Sequence, residues 1–237
     1  MSDLDARIAI YEILSSAFSR PGRDLAMEIL YGRLARRING ILKECCESSA
    51  GCCLPTDLLD QLRSLSPPAP EERERLEFVV DLDEEYTRLF INAFPTLRVP
   101  PYESYYREKR MMGRAAMECL FLYRSDGLTV RDEGELPDHI VSQLEYLGFL
   151  CLAESAAQAG SPDAVPVLRR KQREFYEKHI MTWVPDFCFR VQSHSKIHFY
   201  RVMARLMKNF TAIENRNLNP GKLDPFQEVM HDEIAQA

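Results

Sequence analysis

Glu135-Leu136-Pro137-Asp138-His139-Ile140 begins the stretch that decides the fold. Two carboxylates, a proline and an imidazole stand just ahead of Ile140, Leu144, Leu147 and Cys151, whose spacing puts them on one face of an α-helix. Proline suits a first helical turn, because the N–H it lacks would have no partner there. Carboxylates near a helix N-terminus are favoured by the helix dipole. The pattern predicts a helix over 137–158 with a polar cluster fixed to its start. A polar constellation on a rigid support is where function tends to sit.

The same helical period runs outward in both directions. Leu4, Ile8, Tyr11 and Phe18 share a face near the N-terminus. A second helix is expected from Asp24, a cap after Pro21-Gly22, and carries Ile29, Leu34, Ile38, Ile41 and Leu42. Residues 48–70 contain Pro55, Pro67, Pro68 and Pro70 and read as connectors around one short helix at 56–65. A strong helix is predicted over 71–93 on Leu76, Val79, Tyr86 and Phe90; Leu82 and Leu89 widen the stripe, and Asp81, Asp83, Glu84 and Glu85 form an acidic flank. Pro95, Pro100 and Pro101 break it, and 99–106 begins extended, since a residue before proline avoids the α region. A helix over 111–123 should stop at Gly127. Two further helices are expected: 163–181, with Leu168, Phe175, His179 and Trp183 on one face, and 193–214, with Ile197, Tyr200, Ala204 and Met207. Strand-type alternation is absent beyond short pieces. The expected fold class is all-α, a multi-helix globular fold of about nine or more helices. It divides into an N-terminal helical half over 1–130 and a C-terminal half over 131–215, with hinges at 95–110 and 124–136 and a loosely attached tail over 216–237.

Composition excludes several roles. A net charge of −6 argues against a nucleic-acid partner, which needs a basic patch. No apolar run approaches the about 18 residues of a membrane span; the longest, 146–153, ends at Glu154. The start, Met1-Ser2-Asp3-Leu4-Asp5, is acidic and carries no secretory pattern, so a cytoplasmic location is the expectation. Seven cysteines with no Cys-x-x-Cys pair fit reduced thiols. Cys45, Cys46, Cys52 and Cys53 read as small apolar residues at a helix end, because adjacent helical cysteines point about 100° apart and do not converge on a metal.

No phosphate-binding glycine loop, dinucleotide fingerprint or Gly-x-Ser-x-Gly elbow is present. His194 and His198 are four apart on an expected helix, but Ser195 stands where a zinc protease needs its glutamate. Only Glu228-Val229-Met230-His231 matches the pair that a diiron bundle needs twice. No metal, resident cofactor or catalytic residue is therefore assigned. His179, on an apolar stripe, reads as a hydrogen-bonded core histidine. His139 differs, because Glu135 and Asp138 flank it; their charges should raise its pKa and hold its ring. With no nucleophile nearby, a capping network or a binding site outweighs acid–base catalysis.

Three blocks resemble the TorD/DmsD/NarJ family of cytoplasmic redox-enzyme maturation chaperones. Glu85-Tyr86-Thr87-Arg88-Leu89-Phe90 resembles its Tyr-x-x-Leu-Phe helix. Pro100-Pro101-Tyr102-Glu103-Ser104-Tyr105-Tyr106 is similar to its proline–aromatic–Ser segment. Glu135-Leu136-Pro137-Asp138-His139-Ile140, followed by Leu144-Glu145-Tyr146-Leu147, resembles its Glu-Pro-Asp-His helix start, with Leu136 as an insertion. His179, Trp183, Pro185 and Phe187 fit the later His–Trp–Pro–Phe pattern. The resemblance covers 80–190. It implies a non-enzymatic helical protein that binds the twin-arginine signal peptide or N-terminus of a molybdopterin oxidoreductase catalytic subunit and delays export until the cofactor is loaded, as a monomer or a domain-swapped homodimer.

A twin-arginine peptide offers two guanidinium groups and then an apolar segment. Its receptor needs carboxylates for bidentate pairing beside an apolar groove. Glu103, Glu135 and Asp138, with His139, are the expected polar contacts; Tyr86, Phe90, Tyr102, Tyr106 and Leu147 are the expected apolar ones. Two other readings stand beside this one: a protein that handles a guanine nucleotide or pterin, and a hydrolase dependent on His139.

Overall fold

A computed structural model describes residues 3–48, 55–65, 72–92, 97–129 and 135–220. They form α1 (Asp3–Phe18), α2 (Arg23–Leu30), α3 (Arg33–Ser48), α4 (Thr56–Arg63), α5 (Glu72–Tyr86), α6 (Glu103–Glu108), α7 (Arg114–Ser125), α8 (Ile140–Gly160), α9 (Val165–Phe175), α10 (Val184–His194) and α11 (His198–Leu218). The all-α class is met, and the one β-type pairing among the described residues is an isolated antiparallel bridge between Tyr102 and His139. No helix of the described residues is long and apolar enough to cross a membrane.

The core is continuous across the two expected halves. α1 lies along α8, α10 packs on α11, and α9 returns along α8. Leu4, Ile10, Leu14 and Phe18 of α1 share one buried cluster with Leu144, Leu147 and Leu150 of α8 and with Met203 and Met207 of α11. A buried ion network ties the same elements. Arg7 on α1 donates to Glu214 on α11 at 2.8–2.9 Å and to Gln172 on α9 at 2.7 Å. Gln172 in turn donates to Glu154 on α8 at 2.8 Å.

Several boundaries differ from the periodic reading, each for a local reason. The helix expected from Asp24 breaks at Gly32, whose φ of 66° is a left-handed conformation that favours glycine; its N-cap is Gly22, with Asp24 in the first turn. The helix expected over 71–93 ends at Tyr86 and continues as a π-helical turn, Thr87–Ile91. Similarly, α9 passes into a π turn, Tyr176–Ile180. α7 starts at Arg114 rather than 111, after Lys109 and Met112 at positive φ, and ends as expected, with Gly127 at φ 78°. The helix expected over 193–214 is two: α10, which the periodic reading missed, ends at His194, and α11 begins at His198. The two histidines therefore do not share a helix. α11 also runs on to Leu218, and Asn219 is buried against it, so 216–219 belong to the packed structure. Cys52 and Cys53 lie outside the described residues, as do the side chains of Cys45 and Cys46.

Candidate functional site

Two of the three motif blocks are zipped together. The Glu103 amide donates to the Asp138 carbonyl at 3.0 Å, and the Ile140 amide donates to the Pro101 carbonyl at 2.9 Å. The Ser104 amide donates to Asp138 Oδ2 at 2.8 Å. Pro100 and Pro101 suit this arrangement, since they hold the strand-like approach extended. Beyond it, Leu136 accepts from the His139 amide at 2.9 Å, which closes a turn over Pro137 and Asp138. Tyr123 donates its hydroxyl to the Pro137 carbonyl at 2.8 Å and pins that turn to α7.

α8 therefore starts at Ile140, three residues later than the sequence suggested, and Pro137 and Asp138 stand outside its first turn. His139 is its cap: the Val141 amide donates to Nδ1 at 3.2 Å. That bond puts the ring proton on Nε2, which faces Glu135 Oε2 at 3.8 Å. The expectation of a raised His139 pKa is reversed. Burial pushes it down to about 3, so the ring is neutral near pH 7 and its contact with Glu135 is not a charge pair. Asp138 is also fully buried, and burial raises its carboxyl above the ordinary range.

Glu103 anchors a second layer. Its carboxylate is wholly buried, and it accepts from Gln143 Nε2 at 2.6 Å and His179 Nδ1 at 3.0 Å, with Arg107 Nη1 close against it. The π turn places His179 here, and Trp183 one turn on donates its indole N–H to the His179 carbonyl at 2.6 Å. Glu103, Cys119 and His179 form a group of metal-type donors, with ligand atoms within 4.8 Å of one another. A carboxylate, thiol and imidazole suit zinc in principle. However, Arg107 and Gln143 already take up the carboxylate, and burial with the Glu103 charge pushes the Cys119 thiol well above its ordinary pKa, leaving it protonated. The cluster is a hydrogen-bonded hub.

The nine nominated residues separate by depth. Tyr86, Phe90, Glu103, Asp138, His139 and Leu147 are buried. Phe90 packs edge-on to Phe18 and Tyr200, and Tyr86 packs edge-on to Phe90. Glu85 and Arg88 from the same block are also structural. Arg88 pairs with Glu85 at 2.6 Å and donates to the His194 carbonyl, and Ser195 donates to Glu85 at 3.0 Å, which clamps α5 to the link between α10 and α11. Tyr102 and Tyr106 are half-buried, and the Arg190 guanidinium sits 5.6 Å above the Tyr106 ring. Glu135 alone of the three nominated carboxylates reaches solvent; its side chain is 46 % exposed and accepts from the Tyr102 hydroxyl at 3.1 Å. Its charge, after burial, raises the pKa of both Tyr102 and Tyr86, the latter to about 12. Residues 130–134, just ahead of Glu135, lie outside the described residues. Gln143, Arg107 and Cys119 were not found from sequence. Arg107 stands four residues after Glu103 and Gln143 four after His139, spacings at which helical side chains meet.

The arrangement is a buried helical frame with one partly exposed carboxylate, Glu135, and two half-buried tyrosines, Tyr102 and Tyr106, toward its surface. The chain belongs to the nitrate reductase delta subunit family, whose model matches residues 54–189. It is 35% identical over 113 residues to the chlorate reductase assembly chaperone protein of Ideonella dechloratans, covering 47% of this chain and 58% of that one. It is 34% identical over 100 residues to the nitrate reductase molybdenum cofactor assembly chaperone NarJ of Escherichia coli K12, covering 40% and 41%. It is 26% identical over 140 residues to the chaperone protein TorD of Vibrio cholerae, covering 58% and 62%. Each match spans less than two thirds of the relative's length. These relatives are named as chaperones, not as enzymes. A crystal structure described as a candidate redox enzyme maturation protein from Archaeoglobus fulgidus aligns over 85% of this chain and 93% of its own, with a TM-score of 0.50 and 24% identity, a likeness of fold.

Proposed function

We propose that this chain is a maturation chaperone for a molybdopterin oxidoreductase. It binds the twin-arginine leader or N-terminal region of the catalytic subunit in the cytoplasm while the cofactor is loaded, and acts as a monomer or a domain-swapped homodimer. Membership of the delta subunit family and the names of the relatives support the chaperone class. The observation that carries the peptide reading is the Glu135–Tyr102 pair, an exposed carboxylate braced by a phenol on a buried frame. A guanidinium needs such a fixed acceptor, because bidentate pairing rewards geometry. Glu103, Asp138 and His139 serve this reading from below, by holding the edge in place, with Tyr86, Phe90 and Leu147 as its packed support; Tyr106 extends the edge beside Tyr102.

The test is a calorimetric titration with a synthetic leader containing two adjacent arginines and an apolar run. Binding at micromolar strength or tighter is expected, with a clear loss when both arginines become lysines. No binding to any leader from the source genome would overturn the reading.

The alternative of a pterin or nucleotide site would draw on a cavity of about 180 Å³ lined by Tyr146, Phe175, Lys171, Lys178 and His179, the described cavity that carries lysines. Its lysines are already paired, Lys171 with Asp126 and Lys178 with Glu118, which makes this the weaker reading. Saturable quenching of Trp183 by guanosine triphosphate would revive it. The buried, neutral His139 gives the hydrolase reading no support.

A further inference from the structure

Two helices carry apolar residues on their outer faces. On α7, Met117 and Phe121 are exposed, Phe121 to 71%. On α5, Leu76 and Val80 are exposed, Leu76 to 60%. In each helix the two residues are four apart, so each pair makes one strip of surface. Single exposed apolar residues are ordinary, whereas aligned ones rimmed by charge mark sites of contact.

The two strips share a pattern. α5 carries Arg73, Leu76, Glu77 and Val80, and α7 carries Arg114, Met117, Glu118 and Phe121, the same kinds of residue at the same spacing. In each helix the arginine pairs with the glutamate one turn on, at 2.8 Å. These charges are satisfied and select no partner. The next turn does. α5 continues with Asp81 and Glu84, and α7 ends with Arg124; all three are exposed. None of the three enters an ion pair or a side-chain hydrogen bond with the described residues. Lay the helices parallel, with Leu76 against Met117 and Val80 against Phe121, and Arg124 falls between Asp81 and Glu84. Two α5 helices in that register would set carboxylates against carboxylates, and two α7 helices guanidinium against guanidinium, so the open charges are matched only where α5 meets α7.

The α7 face is held firmly for such a contact. The Arg114 and Ala115 amides both donate to the Glu108 carboxylate at 2.9 Å, which fixes where the helix starts. Gly113 makes this possible, since a Cβ there would run into that carboxylate.

Both faces belong to one chain, so the partner that fits them is a second copy. We propose that the chain self-associates by laying α5 of one copy along α7 of another, with Leu76 and Val80 against Met117 and Phe121 and with Arg124 between Asp81 and Glu84. No segment changes places in this contact, which sets it apart from a domain swap. The inference goes beyond the peptide reading and stands without it.

The test is sedimentation of the full chain over a range of concentrations. A contact of this size lies at the low end of specific interfaces, so association at about 10–100 μM is expected. Asp81→Lys with Glu84→Lys, and separately Arg124→Glu, should each weaken it about tenfold, because each sets like charges together. An equimolar mixture of the two variants should restore association, since every α5 then meets an α7 of opposite charge. Phe121→Ser should weaken association several-fold, with no rescue on mixing. All these positions are at the surface, and thermal melts check that each variant folds. If a reversal unfolds the chain, Asp81→Asn with Glu84→Gln and Arg124→Gln carry the same test, with a loss of about threefold each. A wild type that stays monomeric at about 200 μM would overturn the proposal. Pairs indifferent to both reversals would also overturn it, in favour of a swap or another face. A loss in only one of the two variants would point to like helices meeting, and absence of rescue in the mixture would equally contradict the contact.

Discussion

Glu103 and Glu135 are both carboxylates in motif blocks, both beside tyrosines, and the structure uses them in opposite ways. Glu103 is wholly buried among Arg107, Gln143 and His179. Glu135 stands half in water, with a tyrosine hydroxyl on one side and a neutral imidazole edge on the other. The first builds, the second is free to recognise. A charge that is already satisfied inside the protein has nothing left to offer a ligand, and removing it leaves its partners stranded. An exposed charge with a fixed orientation costs the fold little to lose and can be worth much to a partner.

The largest expected effect breaks the buried side of this comparison. Glu103→Ala strands Arg107, Gln143 and His179 and should cost about 3–5 kcal/mol. For a chain of this length that lowers the melting temperature by roughly 10 °C, readable by calorimetry. A loss under about 1 kcal/mol would mean that the hub is not the structural centre described.

Next comes acid. His139 titrates near 6.5 when unfolded and near about 3 when folded, so between those values the unfolded chain binds the extra proton and stability falls as pH falls. By pH 4.5 its share of the loss is about 2–3 kcal/mol. Asp138 works the other way, since burial raises its carboxyl and acid relieves it. Urea melts across pH 4.5–7 on wild type and on His139→Asn isolate the histidine, because asparagine keeps a capping oxygen without a titrating ring. The variant should lose that part of the slope; an unchanged slope would place the acid sensitivity elsewhere.

Smaller still is Tyr123→Phe, which removes the donor to the Pro137 carbonyl and should cost about 1 kcal/mol. It also loosens the turn that aims Glu135, so leader affinity should fall with it. A stability loss without an affinity loss would uncouple the turn from recognition.

The helical class was legible because apolar residues recur at helical spacing almost everywhere, and α8 stood out from Ile140 onward. Its start was misread because Pro137 looks like a first-turn proline, whereas the turn before it is closed by Leu136 and held from α7 by Tyr123. The two π turns shift the faces after Tyr86 and Phe175 and leave no mark in a 3.6-residue count. α10, Val184–His194, went unseen because 182–192 was read as the gap between two longer helices. The depth of Glu103 and Asp138 was illegible for a different reason. Apart from Arg107, four residues on from Glu103, the partners that bury them include Ser104 with Asp138, 34 residues apart, and Gln143 and His179 with Glu103, 40 and 76 apart, contacts that no local window contains.

The most direct test of the comparison measures both sides of Glu135→Gln at once, in a melt and in a leader titration. The expected result is a melting temperature within about 2 °C of wild type, with affinity for the two-arginine leader reduced about tenfold and the preference for arginine over lysine diminished. Unchanged affinity and an unchanged arginine preference would contradict the account, because the one nominated carboxylate open to solvent would then play no part in gripping the peptide.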